Sequence, residues 1–242
     1  MTTSPRTRHT DIAAGLAAVR ERIDRAAEAA DRAPDDVTLI VVTKFFPVTD
    51  VRILLDLGVR DFGENRDQEA SVKFADVRQW APEARVHFIG QVQTNKAASV
   101  ATYADVVHAV DRERLVSALD RAATQASRQL DVLVQVDLDE QAATPARLRG
   151  GAPVDRVGAL ASAVSATESL HLQGVMAVAP LDVPPDAAFA VLAGVAARLQ
   201  RDYPEARWMS AGMSGDLEAA IAHGATHLRV GTAILGSRPP LR

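Results

Sequence analysis

A chain of 242 residues with a net charge of −4 and no basic run is long enough to bury one sizeable core and is poorly suited to nucleic acid or an anionic membrane. It contains no cysteine, which excludes disulfides, thiolate metal sites and cysteine nucleophiles. The opening MTTSPRTRHT lacks the apolar stretch of a signal peptide, and no apolar run reaches membrane-spanning length, so a cytoplasmic protein is expected. Apolar residues make up 48% but aromatic ones only 4%, a surplus of alanine and valine that suits helices packed on a parallel sheet.

In chain order, Ile12, Leu16, Val19, Ile23 and Ala26 recur at helical spacing and predict a helix over 10–31. VTLIVVTK (37–44) is a continuous, β-branched apolar run, the pattern of a strand buried on both faces. Thr49 is the expected N-cap of a short helix running to Leu57, with Gly58 as its stop. Further strands are expected at 60–64, 86–90, 105–110, 131–138, 172–178, 207–213 and 226–231, with helices between them, clearest over 111–130, 185–201 and 214–223. Such alternation implies right-handed crossovers and a parallel sheet. Eight units in this length predict an α/β fold, a single (β/α)8 TIM-like barrel with an extra N-terminal helix. One domain is expected over 1–242, with 1–9 flexible. The two longest loops, 142–153 and 179–186, follow strands and so fall on the ligand-binding face of a barrel; plain surface connections are equally common at that length.

Of the 27 basic residues, only Lys44, Lys73 and Lys96 are lysines. A chain that meets its charge needs with arginine keeps a lysine where amine chemistry requires one. Lys44 follows a fully apolar run and precedes two phenylalanines, a setting that favours a neutral, nucleophilic amine, although a solvated strand-end lysine is the commonplace reading. After the seventh strand the chain reads Ser210-Ala211-Gly212-Met213-Ser214-Gly215-Asp216, and after the eighth Arg229-Val230-Gly231-Thr232-Ala233. In barrels these two loops, with a helix N-terminus, commonly hold phosphate through backbone N–H groups and hydroxyls. Asp216 and Glu218 must then point away from the anion. Strands one and eight are neighbours in a closed barrel, so a ligand with an aldehyde at one end and a phosphate at the other fits across them.

The blocks LIVVTK (39–44), DFGEN (61–65) with Gln68 and Glu69, HFIGQVQTNK (87–96), GVMAV (174–178), SAGMSGDLEAAI (210–221) and LRVGTAILG (228–236) together resemble the pyridoxal phosphate homeostasis protein family, related by fold to the N-terminal domain of alanine racemase. The resemblance spans about residues 12 to 237. It implies that Lys44 holds pyridoxal 5′-phosphate as a Schiff base, and that Ser210, Met213, Ser214, Gly231 and Thr232 surround the phosphate. It also implies that Asn65 lies near the ring and that Arg229 faces the pyridine nitrogen, where a cation disfavours protonation and weakens the ring as an electron sink. The role implied is binding, buffering and delivery of the cofactor by a non-catalytic monomer that meets apo-enzymes transiently. Two places depart from the family pattern: Arg66-Asp67 after GEN, where an aromatic and an apolar residue are usual, and the longer Arg147-Leu148-Arg149-Gly150-Gly151 stretch.

The nearest rival is an amino-acid racemase or another enzyme of this cofactor. Two-base racemisation needs an acid/base opposite the lysine, which racemases of this fold take as a tyrosine from a second domain. Tyr103 and Tyr203 are instead expected at the opposite end of the barrel, and the chain ends at Arg242, so racemisation is not expected. A Schiff-base aldolase on phosphorylated sugars uses the same lysine and phosphate logic without a cofactor and is set aside only by the family blocks. A hydrolase reading fails for want of G-x-S-x-G. Metal binding is disfavoured because the one i,i+4 histidine pair, His223 and His227, is interrupted by Gly224.

Overall fold

Each of the eight expected strands forms, and every one pairs in parallel with its sequence neighbours until the eighth closes on the first. The computed structural model describes residues 5–139, 150–180 and 183–237. The strands are β1 (Thr38–Val42), β2 (Asp61–Glu64), β3 (Arg85–Phe88), β4 (Val106–Val110), β5 (Leu130–Gln135), β6 (Leu170–Met176), β7 (Trp208–Ser210) and β8 (His227–Val230). Helix α1 (Pro5–Ala29) precedes them. Then α2 (Val48–Asp56), α3 (Asp67–Trp80), α4 (Ala97–Tyr103), α5 (Glu113–Gln125), α6 (Val157–Ser165), α7 (Pro185–Asp202) and α8 (Leu217–Ala222) each follow a strand, and α9 (Thr232–Leu235) follows the last. The fold is therefore a TIM barrel with an added N-terminal helix. No helix among the described residues is long and apolar enough to cross a membrane.

Alternation along the strands divides the interior into two chemistries. Residues such as Val41, Phe62, Val86, Val132, Val134, Val175, Leu228 and Val230 face the helices and join the main apolar core. Their neighbours in sequence point into the barrel, where only Val106, Ala109, Leu133 and Met176 form a small apolar cluster. Much of the remaining inner space is polar: His87, His108, Ser210, His227 and Arg229 are all at most 5% exposed. Buried polar groups of this kind are stable only when hydrogen-bonded.

Three expectations are corrected. Helix α1 begins at Pro5, ahead of Thr10, because Arg8 is anchored to Asp50 at 2.5 Å and donates to the carbonyl of Leu235 at 3.0 Å. Thr49 lies inside α2; Pro47, fixed in extended backbone at φ −71°, occupies the N-cap, while Gly58 ends the turn at φ +85° as expected. The helix expected over 214–223 is shorter: Asp216 occupies its N-cap and it has only six residues, Leu217–Ala222.

Candidate functional site

A cavity of about 280 Å³ opens at the C-terminal ends of β1 and β8. Lys44, Met213, Ser214, Arg229, Gly231 and Thr232 line it, together with Val42, Phe46, Ile89 and Gly215. Six of the eight expected site residues are thus brought together from loops far apart in sequence. A larger hollow of about 370 Å³ lies outside the barrel between α1 and α8. Its walls are mostly alanine, and its Arg22 and Glu218 are taken up by each other at 2.7 Å.

Lys44 sits beyond the last ladder pair of β1, in a turn rather than on the strand. The next residue, Phe45, has φ +70°, a left-handed conformation costly for a bulky side chain and kept only where neighbours enforce it. The enforcement is visible. Glu69 accepts the N–H of Phe45 at 2.6 Å, and the Arg66 guanidinium lies 5.1 Å from the centre of the Phe45 ring. Lys73, 8% exposed, donates to the Thr43 carbonyl at 2.9 Å, to Glu64 at 2.8 Å and to Glu69 at 2.9 Å. Burial nevertheless pushes the Glu64 carboxyl above its usual range, against the pull of Lys73. The most buried lysine is therefore a clasp behind the turn, and half-buried Lys44 is the one presented to the cavity. Lys96 pairs with Asp67 at 3.5 Å, and Asp67 also accepts from Ser99 at 2.6 Å. The unusual Arg66-Asp67 pair thus stiffens the turn on one side and docks α4 on the other.

The opposite wall is a cradle of backbone and hydroxyl groups. Among the described residues, the N–H groups of Ser214, Gly215 and Thr232 donate to no protein acceptor. The Ser214 hydroxyl reaches the N–H of Ala233 at 3.4 Å, tying the two loops together. Helices of six and four residues carry little macrodipole, so any anion held here is held by loop N–H groups and hydroxyls. The added helix α1 braces both loops: Arg22 donates to the Ser214 carbonyl at 3.0 Å, and Arg8 to that of Leu235. Glu218 is turned outward onto Arg22, whose hydrogen bonds hold its carboxyl below the usual range. Asp216 turns back on the loop to take the N–H of Met213 at 2.6 Å.

Arg229 closes the end of the cavity near the barrel axis. It is 5% exposed and donates to Ser210 Oγ at 2.6 Å and to the Ala177 carbonyl at 2.7 Å. Burial lowers its pKa to about 10, so it stays a cation at neutral pH. Two expected residues do not line the cavity. Ser210 is fully buried, its hydroxyl engaged by Arg229 and His108. Asn65 is packed against Gly90, where an added Cβ would come within 2.7 Å of its own, and its Oδ1 is buried with no partner among the described residues. Tyr103 is buried, its hydroxyl 3.4 Å from Asp67, and neither it nor Tyr203 lines the cavity. No cluster of three or more metal-ligating side chains occurs among the described residues. Of the long loops, 140–149 and 181–182 lie outside the described residues, including Arg147, Leu148 and Arg149. Sequence reasoning missed Phe46 and Ile89; both are apolar residues just past a strand end, Ile89 in a block already singled out and Phe46 two residues after Lys44.

Compared with protein-family models, the chain matches the alanine racemase N-terminal domain over residues 15–239. It is 43% identical over 248 residues to the pyridoxal phosphate homeostasis protein of Mycobacterium tuberculosis, covering 96% of this chain and 94% of that one. The Escherichia coli protein of the same name is 35% identical over 232 residues, 94% of this chain and 97% of its own. PipY of Synechococcus elongatus, solved without and with pyridoxal phosphate, superposes with TM-scores of 0.80 and 0.78 at 33% identity, over 93% of this chain and 100% of PipY. Alanine racemase of Corynebacterium glutamicum shares the fold alone, with a TM-score of 0.67 at 14% identity over 97% of this chain and 63% of the racemase. Near-complete coverage at this identity, on a barrel whose lysine after β1 shares a cavity with the loops after β7 and β8, has one consequence: the chain belongs to the pyridoxal phosphate homeostasis protein family, built on the alanine racemase N-terminal barrel.

Proposed function

We propose that this protein binds pyridoxal 5′-phosphate through Lys44 and holds it in exchangeable form, as a cytoplasmic buffer and donor of the cofactor rather than as a catalyst. The observation that carries this reading is the shared cavity: an amine, a ring of free loop N–H groups with two hydroxyls, and a buried cation line a single space of about 280 Å³. These groups suit the ligand that PipY was solved with. When bound, pyridoxal phosphate supplies an aldehyde for a lysine amine and a ring that draws electrons from attached amino acids. Lys44 anchors the aldehyde end. Ser214, Thr232 and the loop N–H groups hold the phosphate, with Met213 and Gly231 beside it. Arg229 faces the ring nitrogen as a cation and keeps a proton off it, which weakens the electron sink a catalyst needs. Asn65 stands behind the ring and Ser210 behind Arg229. Exchange with transiently bound apo-enzymes by a monomer completes the role, in keeping with the homeostasis name of its relatives.

Borohydride reduction of protein loaded with the cofactor is expected to leave the added mass on Lys44 alone, and Lys44→Ala to abolish the visible band. Mass on Lys73 or Lys96 would refute the anchor. Replacing Ser214 and Thr232 together by alanine is expected to weaken pyridoxal phosphate far more than unphosphorylated pyridoxal, since each hydrogen bond to a charged oxygen contributes about 1.5–3 kcal/mol. Equal weakening of both would move the phosphate elsewhere. Loaded protein incubated with L- or D-alanine in deuterated water is expected to show negligible exchange at Cα while transferring cofactor to an apo-enzyme. Turnover of about 1 per second or faster, within the ordinary enzymatic range, would establish a catalyst instead.

A further inference from the structure

Three of the polar side chains inside the barrel join Arg229 to a carboxylate at the other end of the strands. Arg229 donates to Ser210 Oγ at 2.6 Å, Ser210 Oγ meets His108 Nδ1 at 2.9 Å, His108 Nε2 meets His87 Nδ1 at 2.9 Å, and His87 Nε2 meets Asp61 Oδ1 at 2.9 Å. Ser210, His108 and His87 are fully buried, while the Asp61 side chain, at the first residue of β2, is 24% exposed.

The two ends dictate every proton between them. A carboxylate only accepts, so a neutral His87 must donate Nε2–H to Asp61 and present a bare Nδ1 to His108. His108 then carries its proton on Nε2 and presents a bare Nδ1 to Ser210. The serine must donate its hydroxyl proton there, leaving its oxygen to accept from a guanidinium that can only donate. Every donor points from the cation towards the carboxylate, and such aligned chains polarise one another. Among the described residues no other charged group hydrogen-bonds into this relay: Arg85 pairs with Asp131, and His227 bonds Thr226 with its ring against Trp208. Arg229 itself has no carboxylate within ion-pair distance among the described residues, only Ser210 and the Ala177 carbonyl. A buried cation without a counter-charge is costly, and the oriented chain offsets that cost by presenting negative dipole ends to it.

We propose that Asp61, His87, His108 and Ser210 form a one-way hydrogen-bonded relay that locks the Arg229 guanidinium in place and holds its remaining N–H groups towards the cavity. These are positioning residues; none needs to touch the ligand. The consequence for the ring nitrogen rests on the pyridoxal phosphate reading, whereas the relay does not. The exposed end at Asp61 lets a substitution at the opposite mouth of the barrel tune ligand retention.

Long-range ¹H–¹⁵N correlation spectra of the ligand-free protein test the relay first. Both His87 and His108 are expected neutral with the proton on Nε2, and the Arg229 guanidinium protons are expected to be slowly exchanging and resolved. A doubly protonated His87, or an Nδ1–H form of either ring, overturns the proposal whether or not any variant folds. Asp61→Asn, which retains an acceptor but no charge, is then expected to broaden the Arg229 signals, shift the visible absorption of bound pyridoxal phosphate and speed its release about 2- to 10-fold. Asp61→Glu should restore much of this. An unchanged guanidinium spectrum, absorption and release rate in Asp61→Asn would reduce the chain to core packing. If wild-type protein takes up no pyridoxal phosphate, the functional reading fails while the spectra of the free protein still decide the relay.

Discussion

Gly174→Ala is expected to cost more than about 4 kcal/mol, in the range reached only when a core or backbone constraint is broken. Gly174 has φ +151°, and a Cβ built there would sit 1.9 Å from the carbonyl oxygen of Trp208, its partner on β7. It also marks an irregularity: Val132 pairs with Leu172 but Leu133 pairs with Gly174, so Gln173 is an extra residue, as in a β-bulge. Neither backbone can yield without parting β6 from β7, and β7 leads directly into the cradle loop. Denaturant unfolding with and without pyridoxal phosphate checks this, the variant losing stability and binding together. Gly158→Ala is the control, because that glycine is exposed in α6 with nothing near the added carbon; it should gain about 0.4–1 kcal/mol. A Gly174 variant within about 1 kcal/mol of wild type, a spread typical of benign sites, would contradict the bulge geometry.

Acid is expected to destabilise the protein well before its carboxylates titrate. Burial lowers the pKa of His227 to about 3, keeps His108 well below the ordinary imidazole range, and lowers His87 despite its bond to Asp61. The unfolded chain therefore binds these protons first, and stability falls as pH drops below about 6.5. His227 alone contributes a loss of about 2 kcal/mol by pH 5, at 1.36 kcal/mol per unit, and the coupled pair His87 and His108 adds in the same direction. Asp61 reinforces the trend lower down, its carboxyl held below the usual range by His87 and Arg85 against the effect of burial. Glu64, raised by burial, acts in the opposite sense. Urea midpoints at pH 7.5 and 5 measure the difference, and His227→Gln should flatten the dependence. Equal midpoints would mean that the three rings are hydrated and not buried.

Alternation of apolar runs with helical spacing was enough to place all eight strands and to imply closure, because strands buried on both faces carry an unbroken apolar signal. Their C-terminal ends were overestimated. The runs RWMSAGM and DVLVQVDL continue past Ser210 and Gln135, where β7 and β5 stop. Ala211, Gly212 and Val136, just beyond the last ladder pairs, stay buried, so burial outlasts the strand. Caps failed for a related reason. Thr49 has the right chemistry, but Pro47 had already set the entry to α2, and α8 starts only at Leu217 because the turn before it is held by the Asp216 carboxylate on the N–H of Met213.

What the sequence determined by itself was the barrel, the scarcity of lysine that singles out Lys44, and the small and hydroxyl residues of the two terminal loops, since these depend on local pattern and residue type. The tertiary structure decided which lysine is buried, that Phe45 is held at positive φ by Glu69, and that α1 braces both cradle loops. It also decided that His87 and His108, unremarkable singly in their strands, face inward and link Asp61 to Arg229. Those outcomes depend on contacts between distant residues, 21 positions apart from His87 to His108 and 227 from Arg8 to Leu235, which only closure of the barrel brings into hydrogen-bonding range.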